Sequence, residues 1–275
     1  GEPIMQTLVR ELEEELGISP LTAEPLIEVP WSYPELQVRL HVYIVRHFLG
    51  QPIPRENQPM QWVSPEQLIQ LEFPEANQAI VNAIRLPDSY LITPDISCSE
   101  TLFNGVLEAS NQGMQLIQLR APQLSEDDYF ALAERLLQQL PEHCTLLLKG
   151  THEQIMQHPK AGWHLTSVQL NELSQRSFDQ HRCIAASCHN AVQLQQAMHL
   201  GLNFACLSPI QPTRTHPDAE PLGWQQAQAL IKEAQLPVYL LGGLTQSDLA
   251  QAKQIGAQGI AAIRGLWPFR SDIPH

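Results

Sequence analysis

Eight short apolar segments alternate with helical segments in the C-terminal two thirds of the chain. The apolar segments lie at 89–93, 115–119, 145–148, 161–165, 182–186, 203–207, 237–241 and 258–263. Helical segments intervene, for example at 126–140, 190–201, 223–234 and 246–255. Strands that alternate with helices form a parallel sheet, and eight of them at this spacing favour a closed (β/α)8 TIM barrel. We therefore predict an α/β fold with such a barrel at residues 88–275.

The first part of the chain has a different pattern. Ile4, Leu8 and Leu12 recur every fourth residue, which predicts a helix at 3–16. We expect strands at 25–29, 37–46 and 62–63, and helices at 65–71 and 76–86. Because single cores stop growing near ~250 residues, a chain of 275 residues predicts two domains. We place them at 1–86 and 88–275.

Composition restricts the classes of partner. The net charge of −13 argues against a nucleic-acid polymer, which is bound by clustered Lys and Arg. No apolar run approaches the ~20 residues that span a bilayer, and the start has no signal-peptide pattern, so we expect no membrane partner. The cysteines, which we predict to be buried free thiols, are Cys98, Cys144, Cys183, Cys188 and Cys206. That usage predicts a cytoplasmic protein; the oligomeric state stays open.

Three carboxylates share one face of the first helix. Glu11, Glu14 and Glu15 are spaced i, i+3 and i+4, so like charges lie side by side and repel. A divalent cation such as Mg²⁺ or Mn²⁺ would remove that repulsion, since hard cations take carboxylate oxygens. The alternative is an acidic helix face that only contacts solvent.

The segment GEPIMQTLVRELEEELGI at 1–18 resembles the Nudix box, Gly-x5-Glu-x7-Arg-Glu-U-x-Glu-Glu-x-Gly-U. The matching residues are Glu2, Arg10, Glu11, Leu12, Glu14, Glu15, Gly17 and Ile18. The resemblance implies that Glu11, Glu14 and Glu15 bind metal and that Arg10 orients a carboxylate at the substrate site. The box glycine would precede residue 1, and the first Met is Met5. We therefore expect a partial Nudix α/β/α domain without its first strands, with the apolar face of the helix exposed.

Two later segments resemble the closing part of MutT-type enzymes, which clear 8-oxo-dGTP in support of DNA repair. They are PIPRENQPMQWVS at 52–64 and EFPEANQAI at 72–80. The resemblance implies that Glu56 is a further metal ligand or base and that the Asn77 amide recognises the oxidised purine. An amide offers a donor and an acceptor to a base edge. The alternatives are a turn glutamate and an asparagine near a helix start.

The barrel segment resembles thiamine phosphate synthase and its relative TenI, a thiazole tautomerase, over 89–267. The matching stretches are YLITPD (90–95), LIQLRAP (116–122), GWHLTS (162–167), AASCHN (185–190), LSPIQPTRTHP (207–217), LGGL (241–244) and GAQGIAAIRGLW (256–267). They follow predicted strands, at the end of the barrel where such enzymes place their chemistry. The resemblance implies phosphate or substrate contacts at Gln118, Arg120, Ser187, Thr213, Thr215 and Gly243.

The chain departs from the synthase where that enzyme binds Mg²⁺. An Asn-Asp pair after the third strand appears here as Lys149-Gly150, and an Asp after the fourth strand appears as Gln169. Synthase activity is therefore disfavoured. His189 matches the histidine that resemblance assigns to proton transfer in TenI, and a neutral imidazole suits that role. The alternative is an ordinary loop histidine at a helix start.

The leading hypothesis is a metal-dependent, MutT-like hydrolase that converts 8-oxo-dGTP or a similar nucleoside triphosphate to monophosphate and pyrophosphate. The alternative places the activity in the barrel, as a thiazole phosphate tautomerase or, with less support, a thiamine phosphate synthase. A third hypothesis makes the barrel a non-catalytic module that binds a thiamine-related phosphate.

Overall fold

The N-terminal helix forms where the four-residue apolar spacing predicts it. The structure, a computed structural model, describes residues 2–55, 59–176, 178–179, 181–213, 220–269 and 271. Helix α1 spans Ile4–Leu16 and ends at Gly17, whose φ of 70° is the left-handed conformation that glycine adopts readily. Within α1, all of which is described, no residue is buried, and Ile4, Met5 and Val9 are exposed. The predicted helix is confirmed, and its apolar face is exposed at Ile4 and Val9 but half-buried at Leu8, Leu12 and Leu16.

Two long strands follow as an antiparallel hairpin. Strand β1 (Ser19–Ser32) pairs with β2 (Gln37–Leu49), with Val29 opposite Leu40. The sequence predicted shorter strands because prolines interrupt β1. Proline is tolerated on an edge strand and at bulges, and the pairing of β1 shifts register at three places between Pro20 and Ile27.

The segment at 62–63 is not a strand, so that prediction is wrong. In the described part of the chain, the N-terminal sheet has only β1 and β2, which gives this segment no ladder to join, and Trp62 is 78% exposed. Short 3-10 turns at Pro65–Gln70 and Glu75–Asn77 precede helix α2, Gln78–Arg85. Helix α2 packs Ala79 and Ala83 against Val29 in a small core.

The C-terminal part is the predicted closed barrel. Its parallel strands are β3 (Ser89–Ile92), β4 (Leu116–Gln118), β5 (Thr145–Leu148), β6 (Gly162–Leu165), β7 (Ile184–Cys188), β8 (Phe204–Leu207), β9 (Val238–Leu241) and β10 (Gly259–Ala262). Strand β10 pairs with both β9 and β3, which closes the ring. The predicted eight-stranded TIM barrel is confirmed.

Helices cover the outside of the barrel. They are α3 (Ser99–Asn111), α4 (Glu126–Gln139), α5 (His152–Met156), α6 (Ser167–Glu172), α7 (Ala191–His199), α8 (Gly223–Lys232) and α9 (Leu249–Gln254). The largest core lies between these helices and the strands. A second core fills the barrel interior, where the rings of Tyr90, Phe204 and Tyr239 meet at centroid distances of 5.1 to 5.7 Å.

The N-terminal part contacts the barrel at the N-terminal ends of its strands. Gln258, just before β10, donates from Nε2 to the carbonyl oxygens of Ala83 (3.2 Å) and Leu86 (2.9 Å). Asn203, just before β8, donates to Oδ1 of Asn82 over 3.1 Å. Parallel strands put their C-terminal ends at the opposite rim, which leaves the barrel mouth clear of the hairpin.

Three of the five cysteines, Cys144, Cys188 and Cys206, are buried free thiols as predicted. Cys98 is exposed, so its predicted burial is wrong: it lies at the surface, immediately before the start of α3. Among the described helices, none has the length and apolar character to cross a membrane.

Candidate functional sites

The acidic face of α1 is organised around Arg10. Its NH1 lies 2.9 Å from Oε2 of Glu14, and its NH2 lies 2.8 Å from Oε1 of Glu11 and 3.3 Å from Oε2 of Glu2. The hydrogen bonds to Glu2 and Glu11 raise the pKa of Arg10. Because all these side chains are exposed, each ion pair adds little stability. The structure therefore brings together Arg10 and three of the carboxylates that the Nudix resemblance singles out, while Glu15 makes none of these contacts.

The loop after β2 returns to the end of α1. The N–H of Ile53 donates to the carbonyl of Leu16 (3.0 Å), and the N–H of Arg55 donates to that of Glu15 (2.9 Å). The Arg55 side chain donates to the carbonyl of Glu13 over 2.9 Å. A cation suits the carbonyl end of a helix, yet Arg55 was not singled out in the sequence. Glu56, the next residue, lies outside the described residues.

A divalent cation fits this face by the chemistry of its donors. Glu11, Glu14 and Glu15 supply only carboxylate oxygens, which Mg²⁺ and Mn²⁺ take as ligands. In the described conformation Glu11 and Glu14 bind Arg10, and among the described residues no three acidic, His or Cys side chains are grouped to hold a metal ion.

Asn77 lies at the start of α2, partly buried, and its side chain makes no capping hydrogen bond. The structure therefore agrees with the sequence alternative of an asparagine near a helix start, although the side chain does not cap the helix. The amide keeps its donor and acceptor for another partner.

A buried hydrogen-bonded chain runs through the barrel interior to its mouth. The Tyr90 hydroxyl lies 2.9 Å from Nδ1 of His164, and Nε2 of His164 lies 2.9 Å from Oγ of Ser187. Burial, together with the charge of Lys149, lowers the pKa of His164 to about 3. His164 is therefore neutral at pH 7, and it fixes Ser187 at the mouth.

Two basic residues, Arg120 and Lys149, follow β4 and β5. Thr93 holds the first: its Oγ accepts from the Arg120 N–H and donates to the Arg120 carbonyl, both over 2.7 Å. Tyr129 holds the second: its hydroxyl accepts from the Lys149 N–H (2.8 Å) and donates to the Leu119 carbonyl (3.0 Å). Burial, with the charge of Arg120, lowers the pKa of Lys149. Both backbones are thus fixed at neighbouring strand ends.

The positions that would carry acidic metal ligands in a synthase contact each other here. Nε2 of Gln169 donates to the Gly150 carbonyl over 2.8 Å, and Oε1 accepts from the Thr166 N–H over 2.9 Å. Trp163 donates to the same Gly150 carbonyl over 3.2 Å. A glycine and a glutamine in place of the two carboxylates, beside a lysine, do not fit Mg²⁺, so these residues form no metal site.

His189 follows β7 and is exposed at the mouth. Its Nδ1 lies 2.7 Å from the carbonyl oxygen of Ser208, and its N–H donates to Oε1 of Gln193 over 2.7 Å. A carbonyl only accepts, so Nδ1 carries the proton and Nε2 of the neutral ring has a free lone pair. That tautomer is the one a proton acceptor needs.

The turn after β9 is built for close backbone approach. Gly242 and Gly243 have φ of 110° and 71°. A Cβ on Gly243 would lie 2.9 Å from the Pro212 carbonyl and from Cβ of Gln211. The other residues implied by the resemblance also lie at the C-terminal ends of barrel strands. Gln118 ends β4, Arg120 follows it, Ser187 is near the end of β7, and Thr213 is in the loop after β8. Thr215 lies outside the described residues.

Comparisons with known proteins cover both parts of the chain. The thiamine monophosphate synthase family matches residues 89–266, and the NUDIX domain matches residues 1–83. A thiamine-phosphate synthase of Psychrobacter is 27% identical over 183 residues, which are 64% of this chain and 86% of that protein.

Two solved structures are also similar. A thiamine phosphate pyrophosphorylase of Pyrococcus furiosus superposes with a TM-score of 0.52 at 18% identity, over 69% of this chain and 87% of that one, which supports the barrel fold. A MutT structure, from work on the Aliivibrio salmonicida and Vibrio cholerae proteins, is 36% identical over 30% of this chain and 64% of its own, with a TM-score of 0.27. The chain carries an N-terminal Nudix domain and belongs to the thiamine monophosphate synthase family.

Proposed function

We propose that the Nudix part is a metal-dependent nucleoside triphosphate pyrophosphohydrolase of the MutT type, which releases pyrophosphate and a nucleoside monophosphate. The observation that carries this is the α1 face, where Arg10 binds Glu2, Glu11 and Glu14 within 3.3 Å. A divalent cation held by Glu11, Glu14 and Glu15, with Glu56 by resemblance, would neutralise the phosphates and activate the attacking water.

The chain's own residues have separate tasks in this proposal. Arg10 fixes the side-chain directions of Glu11 and Glu14 through its two 2.8–2.9 Å contacts. Asn77, with its uncommitted amide, recognises the base edge, for which 8-oxo-dGTP is the proposed preference. The five free thiols are compatible with the predicted cytoplasmic location.

The test uses neighbouring glutamates of α1. Pyrophosphate release from 8-oxo-dGTP with Mg²⁺ is measured for the wild type, Glu14→Gln and Glu13→Gln. Glu13 is the matched control, because it lies beside Glu14 but outside the Nudix pattern and makes no contact with Arg10 among the ion pairs described. We expect Glu14→Gln to lose at least ~100-fold in rate and Glu13→Gln to stay near wild type. Equal rates for both variants would remove Glu14 from the mechanism.

A second candidate function belongs to the barrel, as a tautomerase acting on a thiazole phosphate. The hydrogen bond from Nδ1 of His189 to the Ser208 carbonyl (2.7 Å) favours it, since Nε2 is left to accept a proton. The proposed phosphate contacts are Ser187, Thr213, Thr215 and Gly243, with Gln118 and Arg120 nearby.

His199, exposed at the end of α7, is the matched control for His189. Turnover lost in His189→Ala and kept in His199→Ala supports the tautomerase. Binding of the thiazole phosphate without turnover in the wild type supports the non-catalytic alternative instead. If the wild type shows neither binding nor turnover of the thiazole phosphate, both barrel hypotheses are contradicted.

A further inference from the structure

The barrel mouth contains two cations with little compensating negative charge. Lys149 is partly buried, and in the described part of the chain no carboxylate forms an ion pair with it. For Arg120, the acidic partner described is Asp95, at the long distance of 3.8 Å. A partly buried cation without a partner is unfavourable unless an anion completes the site. The chain as a whole is acidic, with a net charge of −13.

The two cations sit on rigid supports. The Tyr129 hydroxyl forms hydrogen bonds with the Lys149 N–H and the Leu119 carbonyl. The Thr93 hydroxyl forms hydrogen bonds with both the N–H and the carbonyl of Arg120. Thr93 is fully buried and Tyr129 is 9% exposed. Strand ends fixed in this way present charges at a set spacing, which lowers the entropy cost of binding a ligand.

Apart from Asp95, which lies 3.8 Å from Arg120, the polar groups described beside the cations are neutral. Gln118 is 2% exposed and carries an amide, and His164 is uncharged at pH 7 because burial lowers its pKa to about 3. Ser187 is held by His164 over 2.9 Å. Gln169 and Gly150, which stand where acidic ligands would bind a metal, satisfy each other over 2.8 Å. These groups can donate to an oxyanion, but none brings a carboxylate that would attract a cation.

We propose that the barrel mouth binds a phosphate or diphosphate group directly on Lys149 and Arg120, with no divalent metal. The lysine ammonium supplies the charge that a metal would otherwise supply, and the guanidinium supplies two parallel donors. This inference is independent of hydrolysis in the Nudix part and of proton transfer at His189.

The test is calorimetric titration of the full chain with inorganic pyrophosphate, once in EDTA and once in Mg²⁺. We expect binding in EDTA. Lys149→Met and Arg120→Met should each weaken it at least 10-fold, since each removes a charge-assisted contact. Lys160→Met is the control, because Lys160 is an exposed lysine before β6. Glu14→Gln should leave this binding unchanged, which separates it from the Nudix site.

Binding that needs Mg²⁺, or no binding of pyrophosphate at all, would overturn the inference. So would Lys149→Met binding as tightly as the wild type. Lys149→Arg controls for misfolding because it keeps the positive charge. We expect it to bind pyrophosphate within a few fold of the wild type. A loss of binding equal to that of Lys149→Met would count against a charge-based site.

Discussion

Nε2 of Gln169 donates a hydrogen bond to the carbonyl oxygen of Gly150 over 2.8 Å and so joins helix α6 to the loop that follows β5. The same side chain accepts from the Thr166 N–H, which completes the capping box at the start of α6. A carboxylate at this position could bind a metal ion at the barrel mouth. Here the Gln169 amide forms a hydrogen bond to Gly150 instead. The neighbouring Lys149 is left as the charged group of this rim.

Replacing the Gln169 amide tests its two hydrogen bonds, to Thr166 and to Gly150. Gln169→Glu keeps an oxygen for the Thr166 cap but loses the donor to Gly150, so we expect a loss of about 1–2 kcal/mol in the free energy of unfolding. Gln154 is the matched control: it completes the same kind of capping box, on Thr151. Gln154→Glu should change stability by less than ~0.5 kcal/mol. Denaturant unfolding measures both, and equal losses would show that the hydrogen bond from Gln169 to Gly150 adds no stability.

The turn at Gly243 should tolerate no side chain. Gly243→Ala combines an unfavourable φ of 71° with a Cβ that would lie 2.9 Å from the Pro212 carbonyl. Gly223 has a φ of 70° but open space around its Cβ position. Gly223→Ala therefore measures the backbone strain alone, about 1–2 kcal/mol. We expect Gly243→Ala to lose at least ~1 kcal/mol more, as measured by denaturant unfolding; equal losses would mean that the loop relaxes around the methyl group.

The sequence predicted the barrel well because each strand is a short apolar run bounded by polar segments. It predicted β1 too short, because Pro20, Pro25 and Pro30 interrupt the pattern; register shifts adjoin Pro20 and Pro25, and Pro30 pairs with Arg39 in regular register. It also failed at Trp62, because a strand needs a partner and local sequence does not reveal one. The limits of the two domains stay a prediction.

For the sites, local motifs predicted which residues gather on α1 but not their pairing. That Arg10 binds Glu11 and Glu14 at once depends on side-chain conformation, which spacing does not determine. The links made by Arg55 and Tyr129 join residues distant in sequence and had no local signal. The catalytic and binding roles given to Glu15, Glu56, Asn77 and His189 stay predictions.

The buried His164 should make stability fall as the pH falls. In the folded chain its pKa is about 3, against an ordinary value of 6.5. Between these values only the unfolded chain binds the proton, so stability is full above pH 6.5 and decreases below it. From pH 7 to 5.5 we expect this residue to account for about 1 kcal/mol.

The measurement is denaturant unfolding of the wild type and His164→Asn at both pH values. The wild type should lose about 1 kcal/mol more than the variant over that interval. Titrating carboxylates affect both proteins alike and cancel in the difference. An equal pH dependence of the two proteins would show that His164 is not held neutral by its burial.

We predict that the Nudix part cleaves a nucleoside triphosphate between its α and β phosphates. The direct measurement is product analysis after the full chain is incubated with 8-oxo-dGTP and Mg²⁺ or Mn²⁺, with dGTP in parallel. We expect 8-oxo-dGMP and pyrophosphate in equal amounts, formed faster than the corresponding products of dGTP, and no product in EDTA. Orthophosphate as the product, or no cleavage with either metal, would contradict it.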